Sequence, residues 1–415
     1  LNTSSAASSV DYLREIKPLL ARKCYPCHGA LKQNSGLRLD TVQLMHKGGK
    51  GGPAISPGNP DNSLFIHRIT ATEASERMPQ ESSALTKSEI DLLRNWIKQG
   101  AKAPPDEQPQ QDPARHWSYL PPRRPDISLA SNPNVAIKNP IDSFLEHERA
   151  TRNLAANPQT DKATLLRRVY LDLIGLPPTP EELTAFEADP SPLAYENIVA
   201  KLLNDPRHGE RWGRHWMDIW RYSDWYGRRG VNEIRYGMRH IWRWRDWIIE
   251  SVNNDKGYDR MIVEMLAGDE VAPTNPGALA ATGFIGRNWY KFDRNVWLSE
   301  TVERTSQAFL GLTLRCARCH DHKYDPITQE DYYRFRAFFE PHGVRTDRIN
   351  ARTAFEKDNN KDLVLKAGLS RVFDKELDAP TYLFQRGDDR RPDKSRQLTP
   401  HTPVSLTPSP IKINP

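Results

Sequence analysis

The sequence predicts a mainly α chain: a small helical domain, a Pro-rich linker, a larger all-α domain and an extended C-terminal tail. Three observations predict it. Apolar residues recur at helical spacing on both sides of residues 104 to 138. No run of alternating apolar and polar residues marks a sheet between them and residue 343. Prolines crowd the stretches that interrupt the helical pattern, as at Pro104-Pro105 and Pro121-Pro122. The expected layout is a flexible start over 1–9, a first domain over 10–103, the linker over 104–138, the second domain over 139–343 and the tail over 344–415.

Val10, Leu13 and Ile16 share one face of the opening helix, and Pro18 kinks or restarts it before Leu19 and Leu20. A glycine-rich bend runs from Gly48 to Pro60, followed later by Arg77-Met78-Pro79. Thr86 and Glu89 form a capping box ahead of Ile90, Leu93 and Ile97, and Gly100 supplies the stop. The linker reads as extended chain, with His116-Trp117-Ser118-Tyr119 on a domain surface and His116 in a structural role. In the second domain Leu165, Leu166, Val169, Tyr170 and Leu173 form a stripe ended by Gly175 and Pro177. Thr179-Pro180-Glu181-Glu182 opens the next helix, and Tyr195, Ile198, Val199, Leu202 and Leu203 make the following stripe. The tail is charged, then rich in proline and threonine, and is expected to run over a partner surface or the rest of the chain.

The 415 residues carry 59 basic and 53 acidic side chains, a net charge of +6. The basic residues are interleaved with acids and form no basic tail or nucleic-acid module, so nucleic acid is not expected as a partner. An anionic partner, such as an acidic polysaccharide, remains open. No stretch approaches the roughly 18 apolar residues of a membrane span. Leu1 and the polar stretch Asn2 to Ser9 read as a mature start after removal of a leader.

All four cysteines fall into two copies of one motif, Cys24-Tyr25-Pro26-Cys27-His28 and Cys316-Ala317-Arg318-Cys319-His320. C-x-x-C-H is the attachment signature of a c-type haem. Two thiols three positions apart reach the two vinyl groups of one porphyrin, and the following histidine faces the iron. A zinc ribbon would bring two C-x-x-C knuckles within about 20 residues of each other, and a thioredoxin-like pair would open a helix after a strand; neither context is present. Two covalent haems are therefore expected, with His28 and His320 as proximal ligands. In the first domain the order of helix, haem motif, late methionine and closing helix is that of a small cytochrome c. Met78 is the candidate sixth ligand there, with His46 and His67 as competitors, because a thioether opposite an imidazole raises the reduction potential.

Arginine and tryptophan concentrate between Arg207 and Asp246. Trp212, Trp216 and Trp220 are four apart and stack on one helical face, with His215 on its flank. Trp212 and Trp216 are candidate walls for the second porphyrin, while arginines pair with its propionates; the alternative is an ordinary aromatic core. His215 is the leading candidate for the far-side ligand of the second iron, against Met238, His240 or an open position. His322, Asp224 and Arg221 are candidate acid, base or pocket groups near that centre, with simple packing as the other reading.

These residues resemble a known family, the large multidomain cytochromes of planctomycetes and their relatives. The N-terminal domain of that family is carried by Cys24 to His28, by Met78-Pro79, and by Leu92-Leu93-Arg94-Asn95-Trp96-Ile97-Lys98-Gln99-Gly100-Ala101. The associated domain of unassigned function is carried by Asp172 to Pro180, Gly209-Glu210-Arg211-Trp212, His215-Trp216, Arg221-Tyr222, Arg245-Asp246-Trp247, Leu266-Ala267-Gly268-Asp269-Glu270 and the run Phe309 to Ile327. The resemblance implies an exported, periplasmic haem protein with no settled reaction. Members usually continue into a further C-terminal domain, so a separate chain corresponding to it is an expected redox partner. The reading at this point is a dihaem oxidoreductase in which the first haem relays electrons and the second is the working centre, with an anionic carbohydrate as the guessed substrate. A non-catalytic electron-transfer subunit and a dihaem peroxidase are the rivals.

Overall fold

Asp11 accepts the amides of Leu13 and Arg14 and so starts the helical turn Tyr12–Ile16, which continues into α1 (Lys17–Lys23). Pro18 follows that turn, and Ile16 keeps right-handed helical angles of φ −82° and ψ −54°, so the chain passes from a wide π-helical turn into α1 without a break. The chain then forms α2 (Tyr25–His28), α3 (Val42–Lys47), α4 (Leu64–Thr70) and α5 (Lys87–Lys98). The expected capping box is present on α5, with Thr86 and Glu89 each accepting the other's amide. Leu93, Trp96 and Ile97 bury one face of this helix at exposures of 2% or less, each apolar side chain contributing on the order of 2 kcal/mol relative to exposure. Tyr12 stacks on Trp96 with centroids 5.5 Å apart, joining the opening turn to the closing helix.

This description rests on a computed structural model that describes residues 9–80, 83–125, 139–224, 228–230, 233–234, 238–287, 289–290, 293–357, 361 and 363–407. About 49% of the residues are helical and the strands are short, so the chain is mainly α. Two compact units emerge. The first comprises Leu1–Pro122, Cys316–Asp331 and Thr402–Pro415; the second comprises Arg123–Arg315 and Tyr332–His401.

The first part of the stretch read as a linker packs into the first unit. Glu107 carries a buried carboxylate that accepts hydrogen bonds from Tyr12 Oη at 2.6 Å, Lys17 Nζ at 2.7 Å and the Val42 amide at 2.9 Å. His116 is exposed and its Nδ1 caps a short turn at Trp117–Tyr119.

The second unit contains α6 (Pro140–Thr151), α7 (Lys162–Leu173), α8 (Pro180–Ala188), α9 (Ala194–Leu203) and α10 (Pro206–Trp220). The expected stripes of α7 and α9 meet Phe186 of α8 in one core. After β1 (Arg228–Gly230) and β2 (Glu233–Ile234) come α11 (Trp242–Asn253), α12 (Tyr258–Val271), α13 (Pro276–Ala281), α14 (Gly283–Gly286) and α15 (Arg294–Thr305). Helices α10 and α11 pack closely because Gly209 lies against the partner backbone. A Cβ there would meet Ile249 O at 2.5 Å, and the Gly209 amide donates to Asn253 Oδ1 at 2.7 Å.

The tail departs from the extended reading, and the unit is not all-α. Helix α16 (Gln329–Arg336) leads into β3 (His342–Arg348), which pairs antiparallel with β6 (Gly368–Asp374) in a register that sets His342 opposite Asp374. Strands β4 (Phe355–Lys357) and β5 (Leu363–Leu365) form a second pair, and β7 (Thr381–Phe384) and β8 (Pro392–Leu398) a third. The buried positions of β6 are Gly368, Ser370 and Val372. Small and polar residues therefore occupy the inner face, and the alternation by which a strand is read was hidden. Ser370 is satisfied across the pair by Thr346 Oγ1 at 2.8 Å, and the Val372 amide donates to Thr282 Oγ1 at 3.0 Å. No helix among the described residues is long and apolar enough to cross a membrane.

Candidate haem centres

The first motif is built at a helix junction. Cys24 closes α1 by donating its amide to Leu20 O at 2.8 Å, and the amides of Cys27 and His28 return to Cys24 O at 3.1 and 2.9 Å. That single turn sets the two thiols one helical turn apart, Cys24 half-buried and Cys27 exposed. Burial pushes the Cys24 thiol up to about 12, with the neighbouring Cys27 adding to the rise. His28 is half-buried, and burial holds its imidazole below the ordinary value, partly opposed by the backbone of Leu37 and Asn34. Its Nδ1 is buried without a hydrogen-bond partner. Burial favours the uncharged imidazole, the form a haem iron binds, and the buried Nδ1 is an unfilled polar atom at the motif.

Met78 is half-buried and packs against the same core as Cys24. Its amide donates to Arg68 O at 2.8 Å, which anchors the loop to the end of α4. The competitors His46 and His67 are both exposed.

The second motif lies on the short turn Arg315–Arg318, with Ala317 fully buried and Cys316, Cys319 and His320 exposed. His320 Nδ1 lies 2.8 Å from Asp321 O. A donor on Nδ1 fixes the tautomer in which Nε2 carries the lone pair, as an axial ligand requires. His322 is 8% exposed, and its Nδ1 accepts the amides of Asp325 at 2.9 Å and Tyr324 at 3.4 Å. It closes the loop that follows the motif. Gln329 braces the same loop, donating its amide to Asp321 Oδ1 at 2.9 Å and its side chain to Arg318 O at 3.0 Å.

Both motifs belong to the first compact unit. Lys32, four positions after His28, forms an ion pair with Asp321, next to His320, at 3.4 Å. Sequence reasoning missed this proximity, because nothing in a pair of motifs so far apart along the chain reports their distance in space.

The remaining predicted site residues fall in the second unit. His215 is exposed on α10, its ring edge-on to Trp212 at 5.4 Å. Trp216 stacks between Trp220 and Tyr258, each at 5.1 Å, while Trp220, Trp244 and Trp247 are buried. Much of the aromatic cluster is thus an interior. Arg221 ends α10 in the left-handed region at φ 60° and points a polar head to solvent, Asp224 accepts from Tyr222 Oη, and Arg245 lies 4.0 Å from Asp224 and 2.8 Å from Asp246. A cavity of about 300 Å³ opens nearby, lined among others by Trp242, Arg243, Asp246, Glu250 and Arg348. Its charges are balanced, and Arg243 Nε is occupied by Gly368 O at 2.8 Å.

Residues 24–82 match the family model described as planctomycete cytochrome C. Residues 140–343 match that of PSCyt2, a protein of unknown function (DUF1549). No curated protein matches the chain, and no solved structure does so. The first match assigns a c-type cytochrome domain with covalently bound haem c and electron transfer as its chemistry.

Proposed function

From a chain that carries a planctomycete cytochrome C domain followed by a PSCyt2 domain, we propose an exported dihaem c-type cytochrome whose two centres exchange electrons directly. The observation that carries this reading is the grouping of both C-x-x-C-H motifs in one compact unit, with the residues that follow them paired through Lys32 and Asp321. Haem supplies one-electron chemistry when bound. The work of the chain would be to hold it: Cys24, Cys27, Cys316 and Cys319 would tether, His28 and His320 would ligate, and Met78 would supply a thioether to the first iron, which would raise its potential. An external redox partner completes the path. The second unit offers a separate surface and cavity for the oxidoreductase step, with an anionic carbohydrate as the substrate class to try first.

The test is a haem count. Protein matured with the c-type attachment machinery is expected to give two covalent haems per chain by pyridine haemochrome, and Cys316→Ala with Cys319→Ala to give one. A wild-type count of one removes the dihaem reading and leaves a monohaem electron carrier. Met78→Ala is expected to abolish the thioether-to-iron charge-transfer band and lower the potential of one haem. His215→Ala examines the second iron: a low-spin to high-spin change assigns the residue to it, and an unchanged spectrum removes it.

A further inference from the structure

Three ligand-type side chains converge in the second unit, which contains no cysteine. Glu270, His342 and Asp374 each bring a donor atom within 4.8 Å of the others. The fold explains the meeting. Ala267 breaks helical geometry inside α12 at φ −144°, just before Gly268, whose missing side chain lets Ala278 O approach: a Cβ there would meet it at 2.3 Å. This break turns Asp269 and Glu270 toward the β3–β6 pair, where His342 and Asp374 are direct cross-strand neighbours.

The cluster has a partner missing. His342 is only 5% exposed and its Nδ1 is buried with no hydrogen bond. Its Nε2 faces Asp374 Oδ1 at 3.8 Å, beyond hydrogen-bonding distance. Asp269 adds a second buried, unpartnered oxygen beside the group. Burial holds His342 down to about 4, so the ring is neutral and ligand-competent near neutral pH. Burial raises the carboxyls of Asp269 and Glu270, and Asp374 adds to the rise. Arg371, the cation acting on Asp269, is engaged by Asp347 at 2.6 Å.

We propose that Glu270, His342 and Asp374 bind one divalent transition-metal cation. Two carboxylates with one imidazole form a mixed oxygen and nitrogen set suited to Mn²⁺ or Zn²⁺ rather than to soft or all-oxygen sites. Three protein ligands leave coordination positions for water or an anionic group, and the exposed Glu270 marks the solvent side. The site stands apart from the haem reading and does not depend on it.

The test uses Mn²⁺ on the haem-loaded full chain, in which the cysteines are already consumed. Loss of the room-temperature resonance of free aqueous Mn²⁺ measures binding. One ion per chain is expected for the wild type, weakened at least tenfold in Glu270→Gln and in Asp374→Asn. Glu270 is exposed, so Glu270→Gln keeps the fold, which circular dichroism checks. No binding by the wild type, or equal binding by wild type and both variants, overturns the proposal.

Discussion

Single side chains decide how the second unit tolerates charge in its interior. Glu264 is 5% exposed and accepts from Trp247 Nε1 at 3.1 Å, Lys256 Nζ at 2.8 Å and Arg260 Nε at 2.9 Å. Burial alone would raise its pKa, but the hydrogen bonds from Lys256 and Arg260 overcome this and hold the carboxyl below the ordinary value. Glu264→Ala strands the buried indole N–H and two cations, and is expected to cost about 3 kcal/mol in urea unfolding. Glu264→Gln keeps the Trp247 bond and is expected to cost less. At this scale the first haem motif, which lies in the matched cytochrome C domain, was legible because its chemistry is local: thiol spacing and the adjacent imidazole follow from consecutive residues. His342 was not legible as a ligand, since its partners lie on another helix and another strand.

Among the elements, α10 shows how a cap sets a helix and its pH response. Asp205 accepts the Arg207 amide and guanidinium, both at 2.9 Å, and the hydrogen bonds from Arg207 hold its carboxyl down to about 2. Asp205→Ala is expected to lose about 1 kcal/mol. A carboxyl depressed in the folded state contributes stability above its unfolded value near 4, and that contribution is lost as pH falls through about 2. The advantage of wild type over Asp205→Asn should therefore fade between pH 4 and pH 2 in chemical denaturation, a result opposite to that of a group raised by folding. Elements with strong local signals, such as α5 with its capping box or α7 with its stripe, matched their reading. The β3–β6 pair did not, because Gly368 and Ser370 fill its inner face and the packing that rewards them comes from α13 and α14.

For the whole molecule, the grouping of both motifs predicts electrostatic coupling. In the proposed dihaem chain, oxidising one iron would place a positive charge near the other, so removal of the second haem by Cys316→Ala with Cys319→Ala is expected to shift the midpoint potential of the first, measured by redox titration. A potential that does not move would mean the centres act alone. The ion pair between Lys32 and Asp321 is partly exposed, at 29% and 47%, and Lys32→Ala should change stability by less than about 1 kcal/mol. Its value is positional. The order of domains was readable from composition and motifs, whereas the assignment of residues 316–331 to the first unit depends on contacts that no local pattern announces.

The first unit is discontinuous in the chain: Leu1–Pro122 is joined by Cys316–Asp331 only after Arg123–Arg315 has been made, and by Thr402–Pro415 last of all. During synthesis the first motif emerges long before its structural complement. If both motifs carry haem, as proposed, attachment to Cys24 and Cys27 can begin on a partial unit, whereas Cys316 and Cys319 follow only after the intervening domain has been made. The proposed dihaem chain would then mature in a built-in order, with the second centre filled last.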